Sequence, residues 1–398
     1  MATRTWRGLV VVLCAALGSF SFAAAGGEVL ASRQPRLALT FFPWSADAKA
    51  QLASQIILGQ DGKPANERAA NVARATRLAQ ESILRKPANA AALSALAMTK
   101  AVGDPARATA LFRLSERMSR RDTAAQLALI EADVERGDVP AVLRHYDRTM
   151  QVKPQMANLL IPILAAASKD APIRVEIGRT LRTRPFWWGE YVTELARSGT
   201  SPAALSDAAF AVQAKLEVPG EAAAVSAILY RLATLNAWGD MRRVFARYCS
   251  DPVCRTQPVN GGFERRSQLM PLDWVLPDDP AASAIEPDPA GGGQVLTLRG
   301  GGSAAVRQLM FLAPQGHVLS LRIGGTPAAE DAPALDLACT DGRSLLKARL
   351  HGAKQWRTTV RVPAGCPAQW LTLTPYADRL DADAATFVDD IRVVAANG

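Results

Sequence analysis

At 398 residues the chain exceeds one ordinary hydrophobic core, so two domains are expected. About half of the residues are apolar (49%), which excludes an intrinsically disordered polymer. The formal net charge of +9 is uneven: residues 26–259 carry 31 basic against 22 acidic side chains, and residues 260–398 carry 13 against 15. The basic excess therefore lies in the middle segment. It fits either solvated helix faces or an acidic partner such as an anionic polymer or membrane surface.

The N-terminus reads as an export signal. "MATRTWRG" is basic, "LVVVLCAALGSFSFAAA" is apolar, and "FAAAGG" offers small residues for cleavage. The apolar run from Leu9 to Ala25 falls slightly short of the ~20 residues of a membrane span. Cleavage near Ala25 is expected for residues 1–25, with an uncleaved inner-membrane anchor as the alternative. Residues 26–45 read as an irregular linker.

Residues 46–255 carry a helical pattern rich in Ala, Leu, Arg and Glu, punctuated by Gly and Pro. Gly103-Asp104 and Gly137-Asp138 lie 34 residues apart, and Gly239-Asp240 follows three such periods later. Five residues after each Gly stand Ala108, Val142 and Val244, and nine after stand Phe112, Tyr146 and Tyr248. A 34-residue period with small, aromatic and Pro positions resembles the tetratricopeptide repeat family. The resemblance implies an α-solenoid of five or six helix pairs that presents a groove to a protein partner. The Trp, Gly and Tyr typical of the family's first helix are largely absent here.

From residue 256 the pattern changes. "VLTLRGGG", "VRQLMFLAP", "HVLSLRIGG", "LDLACTDG", "KARLHG", "WRTTVRVPAG", "WLTLTPYA" and "FVDDIRVV" are short alternating runs separated by Gly, Pro and Asp. Eight strands at this spacing predict a β-sandwich or jelly roll over residues 256–398, with the "NGGFE" stretch at Asn260 opening its first strand. Cys249 and Cys254 bracket a tight Pro-containing loop, and Cys339 and Cys366 fall in strand-like segments. Two local disulfides in an oxidising compartment are expected, with a zinc site as the rival.

"NGGFE", a Trp ten residues later and the closing "FVDDIRVV" resemble jelly-roll carbohydrate-binding modules and their galactose-binding-like relatives. That likeness implies a structural calcium where first and last strands meet, held by Glu264 and Asp389 with Asn260 nearby. Read from the residues alone, the two acids are turn and strand-end residues that pair with Arg265 or Arg392. The likeness also implies sugar stacking on exposed aromatics. Among Trp274, Trp356, Trp370 and Tyr376, the polar neighbours of Trp356 and Tyr376 favour those two as glycan-binding residues, and the apolar flanks of Trp274 and Trp370 favour packing.

A catalytic constellation is not evident. The three histidines, His145, His317 and His351, lie in a helix and in turns, and "LRGGGS" reads as a hairpin. "DRLDADAATFVDD" holds paired acids of the kind that glycoside hydrolysis needs, but acid-rich loops are commonly solvated. The cluster "PFWWGEYV" places three aromatics in a row, so at least one is expected at a surface.

The sequence thus predicts an exported, non-enzymatic protein without a cofactor beyond a possible structural calcium. It is expected in the periplasm, or anchored in the inner membrane and facing it, with membrane contact only through the N-terminal segment and no nucleic-acid partner. The expected role is an accessory of envelope polysaccharide (exopolysaccharide or capsule) synthesis or export, with a protein bound to the solenoid and a glycan to the sandwich. A purely protein-binding scaffold is the first alternative, and a polysaccharide-degrading or -modifying enzyme is the second.

Overall fold

The computed structural model describes residues 2–60, 62–278, 280, 282–289, 291–299, 305–325, 332–351, 354–375 and 385–396. The chain forms two compact units, Met1–Leu160 and Ile161–Gly398. Helices come first and an antiparallel β-sandwich follows, as the change in periodicity predicts.

Helix α1 runs without a break over Ala2–Ala31, and α2 follows at Pro35–Phe41. The stretch expected to be an irregular linker is therefore largely helical. Two features explain this. Pro35 opens α2 at its first turn, where a missing N–H costs nothing, and Ala31, Ala38 and Ala48 form a buried small-residue cluster. Gly27 permits the close approach: a Cβ there would stand 2.7 Å from Phe42 Cβ. Among the described residues no helix is long and apolar enough to cross a membrane.

The rest of the first unit holds α3 (Ala46–Leu58), α4 (Ala65–Arg85), α5 (Ala90–Lys100), α6 (Pro105–Met118), α7 (Thr123–Glu135) and α8 (Val139–Val152). Their starts are written in the sequence. Ser45, Asn89, Asp104, Asp122 and Asp138 each accept a hydrogen bond from the backbone N–H three residues on, which satisfies a donor that the helix leaves open. Buried alanines (Ala75, Ala79, Ala95) let α3, α4 and α5 approach closely. Phe112 on α6 and Tyr146 on α8, the two aromatics 34 residues apart, are both buried.

The boundary falls within α9 (Ala157–Ala167), and the second unit continues with α10 (Ala171–Arg182), α11 (Trp188–Ser198), α12 (Pro202–Val212), α13 (Pro219–Thr234) and α14 (Trp238–Tyr248). Here α10 packs on α12, α11 on α13, and α12 on α14. Gly239-Asp240 does not repeat the earlier Gly-Asp geometry. It lies inside the first turn of α14, whereas Asp104 and Asp138 precede their helices as caps.

Among the described residues all eight expected runs form strands, joined by a ninth that the alternation does not mark. They are β1 (Ser283–Pro287), β2 (Gln294–Leu298), β3 (Val306–Met310), β4 (Gly316–Gly324), β5 (Ala334–Cys339), β6 (Ser344–Arg349), β7 (Gln355–Arg361), β8 (Gln369–Thr374) and β9 (Thr386–Ala395). One sheet has the order β1-β2-β9-β4-β7 and the other β3-β8-β5-β6. Without β1 this is the double Greek-key order of a jelly roll. Leu296, Leu319, Leu321, Leu335, Leu371 and Val388 lie in the buried core of the sandwich, and burial alternates along β4, β5 and β8.

The "NGGFE" stretch is not a first strand. Residues 256–276 form turns, with one isolated bridge between Val275 and Arg307. The physical reason lies in the backbone: Asn260 and Phe263 both adopt left-handed φ angles (55° and 58°), which break extended pairing. Gly261 serves a close approach instead. A Cβ there would sit 2.1 Å from the Ile391 carbonyl oxygen, and Ile391 N donates to Gly261 O at 3.0 Å.

Candidate functional site

The outer face of the five-stranded sheet carries an open groove of about 410 Å3 over β9, β4 and the edge strand β7. Alternation along β7 explains its walls. Gln355, Arg357 and Thr359 point outward and are exposed, whereas Trp356, Thr358 and Val360 lean toward the core. Trp356 is opposite Leu321 in the ladder and packs partly against the core, and it is one of the residues that border the groove. The edge position leaves it half-buried rather than enclosed.

A β-bulge shapes the floor. Ser320 pairs with Arg392 and Arg322 with Asp389, so β9 carries an extra residue between them. Asp390 sits in that bulge with φ 50°. Bulges re-aim side chains, and here Asp390 and Arg392 both project toward the groove, with Arg392 Nε donating to Asp390 Oδ1 at 2.7 Å. Arg322 donates to Asp288 at 2.7 Å and also to Asp389. These two carboxylates hold its guanidinium above its ordinary pKa, Asp389 more strongly.

The residues expected to hold calcium are placed close together but are already engaged. Both polar atoms of the Asn260 amide are tied to the Arg265 backbone, at 2.7 and 3.1 Å. Glu264 accepts from Gln294 N at 3.3 Å. Asp389 pairs with Arg322, not with Arg265 or Arg392, while its Oδ1 is buried without a hydrogen-bond partner among the described residues. A Cβ on Gly262 would be 3.8 Å from that Oδ1 and 3.9 Å from Glu264 Cγ, so both acids border one small space. Calcium takes six to eight oxygens. Two carboxylates, one paired with a guanidinium and the other accepting from a backbone amide, fall short of that demand. Among the described residues no group of three or more His, Cys, Asp or Glu is arranged to hold a metal.

The other singled-out residues are dispersed. Tyr376 and much of the "DRLDADAATFVDD" loop lie outside the described residues. Trp274 is fully buried, donates Nε1–H to Asn260 O at 2.9 Å and packs against Phe263. Trp370 is half-buried under the Arg307 guanidinium, 4.8 Å from the ring centroid. His145 is buried between Gln126 and Asp133; burial lowers its pKa, against Glu116 and Asp133, which raise it. His317 is also buried, with Nε2 2.8 Å from Ala313 O. In "PFWW", Phe186 is exposed, Trp187 is buried against Tyr191, and Arg184 covers Trp188. Both disulfides form as expected, Cys249–Cys254 and Cys339–Cys366.

No protein-family model matches the chain, and no curated protein does. Solved structures do match, on the β-sandwich. One is a family 61 carbohydrate-binding module in complex with β-1,4-galactotriose, at 16% identity, covering 36% of this chain and 99% of that chain, with a TM-score of 0.29. A family 4 module covers 35% of this chain and 100% of its own at 14% identity and a TM-score of 0.28. The C-terminal family 6 module of a laminarinase from Zobellia galactanivorans covers 31% and 99% at 15% identity and a TM-score of 0.21. None of these likenesses assigns a ligand to this chain.

Sequence reasoning found one member of the groove, Trp356, through its polar neighbours. It missed Arg322 and the Asp390 bulge. The doubled Asp in "FVDDIRVV" is the only local sign of that bulge, since strict alternation would bury one of the two acids.

Proposed function

We propose that the sandwich binds a glycan in the groove over β9, β4 and β7 and does not turn it over. The groove itself carries this reading: half-buried Trp356 borders it together with Gln355, Arg357, Asp390 and Arg392 in one open depression. A pyranose presents an apolar C–H face and a rim of hydroxyls. An aromatic wall takes the first, and amide, guanidinium and carboxylate groups take the second. Asp389 and Asp390 are each held by an arginine, Arg322 and Arg392.

The wider reading is a non-catalytic, exported accessory of envelope polysaccharide synthesis or export, located in the periplasm. The N-terminal apolar run and the two disulfides support export. The helices supply a protein-binding surface in this reading, and exposed Leu84, Val102 and Val134 are among the apolar positions available for it. The test is calorimetric titration of the full chain with neutral and uronate-containing oligosaccharides. Gln355→Ala, Arg357→Ala and Trp356→Ala should each weaken binding several-fold, the first two without loss of stability because their side chains are exposed. Silence across the whole panel replaces this reading with the protein-scaffold one. New reducing ends in the titrated mixture replace it with the enzymatic one.

A further inference from the structure

A second depression, of about 600 Å3, opens where edge strand β1 faces the 263–277 segment. It lies within the volume range of small-molecule sites, ~300–1,000 Å3. Its apolar walls include Met270, Leu276 and Ile285, above the packed rings of Phe263 and Trp274. Among the polar atoms of these walls without a hydrogen-bond partner among the described residues are Ser283 Oγ and Arg265 Nε. Ser283 is only 2% exposed. A buried hydroxyl left unpaired costs about 1–3 kcal/mol, so native proteins rarely tolerate one without a compensating role.

The surroundings hold these two groups in place. The Asn260 amide clamps both the N–H and the C=O of Arg265. Phe263, directly before Glu264, keeps a left-handed φ of 58° while buried. A bulky residue in that region costs on the order of 1–3 kcal/mol and persists only where its neighbours over-determine it. The chain thus maintains a strained aromatic floor beneath recessed, unsatisfied polar atoms.

We infer that this depression is a second carbohydrate subsite, formed for a single neutral pyranose unit. A sugar ring offers C–H groups to Met270, Leu276 and Ile285 while its hydroxyls reach inward to Ser283 Oγ and Arg265 Nε. Glu264, exposed at the mouth, accepts from an outer hydroxyl. The pairing of apolar wall and isolated hydrogen-bonding groups suits a ring with both kinds of surface, and suits neither a plain hydrocarbon nor a polyanion. The subsite uses none of the groove residues, so it stands or falls separately from the β9–β4–β7 reading.

Trp274 lies under the depression and Trp356 borders the groove, so their indole N–H groups report on the two places separately. The experiment is a 1H–15N correlation spectrum of the full chain, titrated with the methyl glycosides of glucose, galactose, mannose and glucuronate. At least one neutral glycoside should shift the Trp274 indole resonance at millimolar concentration, more strongly than the glucuronide. Ser283→Ala should weaken that shift at least fivefold while leaving the remaining indole resonances in place. Arg265→Lys, which keeps the charge but removes Nε–H, should act likewise. A Trp274 resonance unmoved by every glycoside overturns the inference, as does a shift that both substitutions leave unchanged. A moving Trp274 with an oligosaccharide-insensitive Trp356 would instead overturn the groove.

Discussion

Arg322 on β4 and Asp389 on β9 face each other across the ladder, and the same guanidinium reaches Asp288 in the turn after β1. One arginine thus joins the β1–β2 turn to the closing strand, beside the place where the sequence resemblance implies calcium. We propose that Arg322 supplies the positive charge there. The thermal midpoint should then be equal in EGTA and in millimolar CaCl2, whereas a metal bound only by the folded chain would raise it by mass action. Arg322→Gln should cost about 1–2 kcal/mol in urea unfolding, between an exposed and a buried pair, because Arg322 is about two-fifths exposed and its two partners are mostly buried. A midpoint that climbs with CaCl2 in the unaltered protein would sink the proposal.

The two disulfides should contribute unequally. Cys339–Cys366 closes a separation of 27 residues and ties the end of β5 to the loop before β8. Cys249–Cys254 closes only 5. In the chain-entropy account the longer loop is worth about 3–4 kcal/mol and the shorter about 2 kcal/mol. Replacing each pair by alanines and comparing urea midpoints checks the order. Equal losses would mean that native-state packing, not loop closure, sets the difference.

Asp273 gives the sandwich an acid-side signature. It is buried beside Trp274, and burial raises its pKa above the ordinary 3.8, partly opposed by the amides of Trp274 and Gln268 and by Arg265. A raised carboxyl binds its proton more tightly folded than unfolded. Its contribution is therefore fully present below pH 3.8 and is lost as pH rises through the folded value. The unfolding free energy of the native protein should gain on that of Asp273→Asn as pH falls from 7 toward 4. A constant difference over that interval would show that the group does not titrate differently in the two states.

Much of the fold was legible because its determinants are local. Alternation marks β2 to β9, and Asp or Asn before an apolar run marks the caps of α5, α6, α7 and α8. The strand β1 was missed because "SAIEP" is short, ends in Pro and occupies an edge, where alternation is weakest. The site was less legible because it depends on register. Nothing local in the sequence says that Arg322 will stand opposite Asp389, or that a bulge will bring Asp390 and Arg392 to one face. The resemblance places Asn260 near the implied calcium, but its amide is consumed by Arg265, a contact set by a left-handed turn that composition does not reveal.

The place where the chain divides offers a last test. Periodicity changes near residue 255, which favours a folded fragment beginning at Asn260. Contacts within the second unit argue otherwise. Ser226 on α13 donates to Gln268 O at 2.9 Å, and Gln268 Nε2 donates to Leu216 O at 3.2 Å. Arg242 on α14 lies 4.3 Å from the Phe311 ring centroid, and Trp238 packs edge-on against the same ring. A fragment cut at residue 260 would expose Phe311 and leave Gln268 without its helical partners. Loss of such contacts, two hydrogen bonds and an aromatic pair with its cation, should lower stability by about 2–4 kcal/mol. Fragments 161–398 and 260–398, produced separately and unfolded in urea, should differ by that amount, with the longer one the more stable. Equal midpoints would restore residue 260 as the true edge of an independent sandwich.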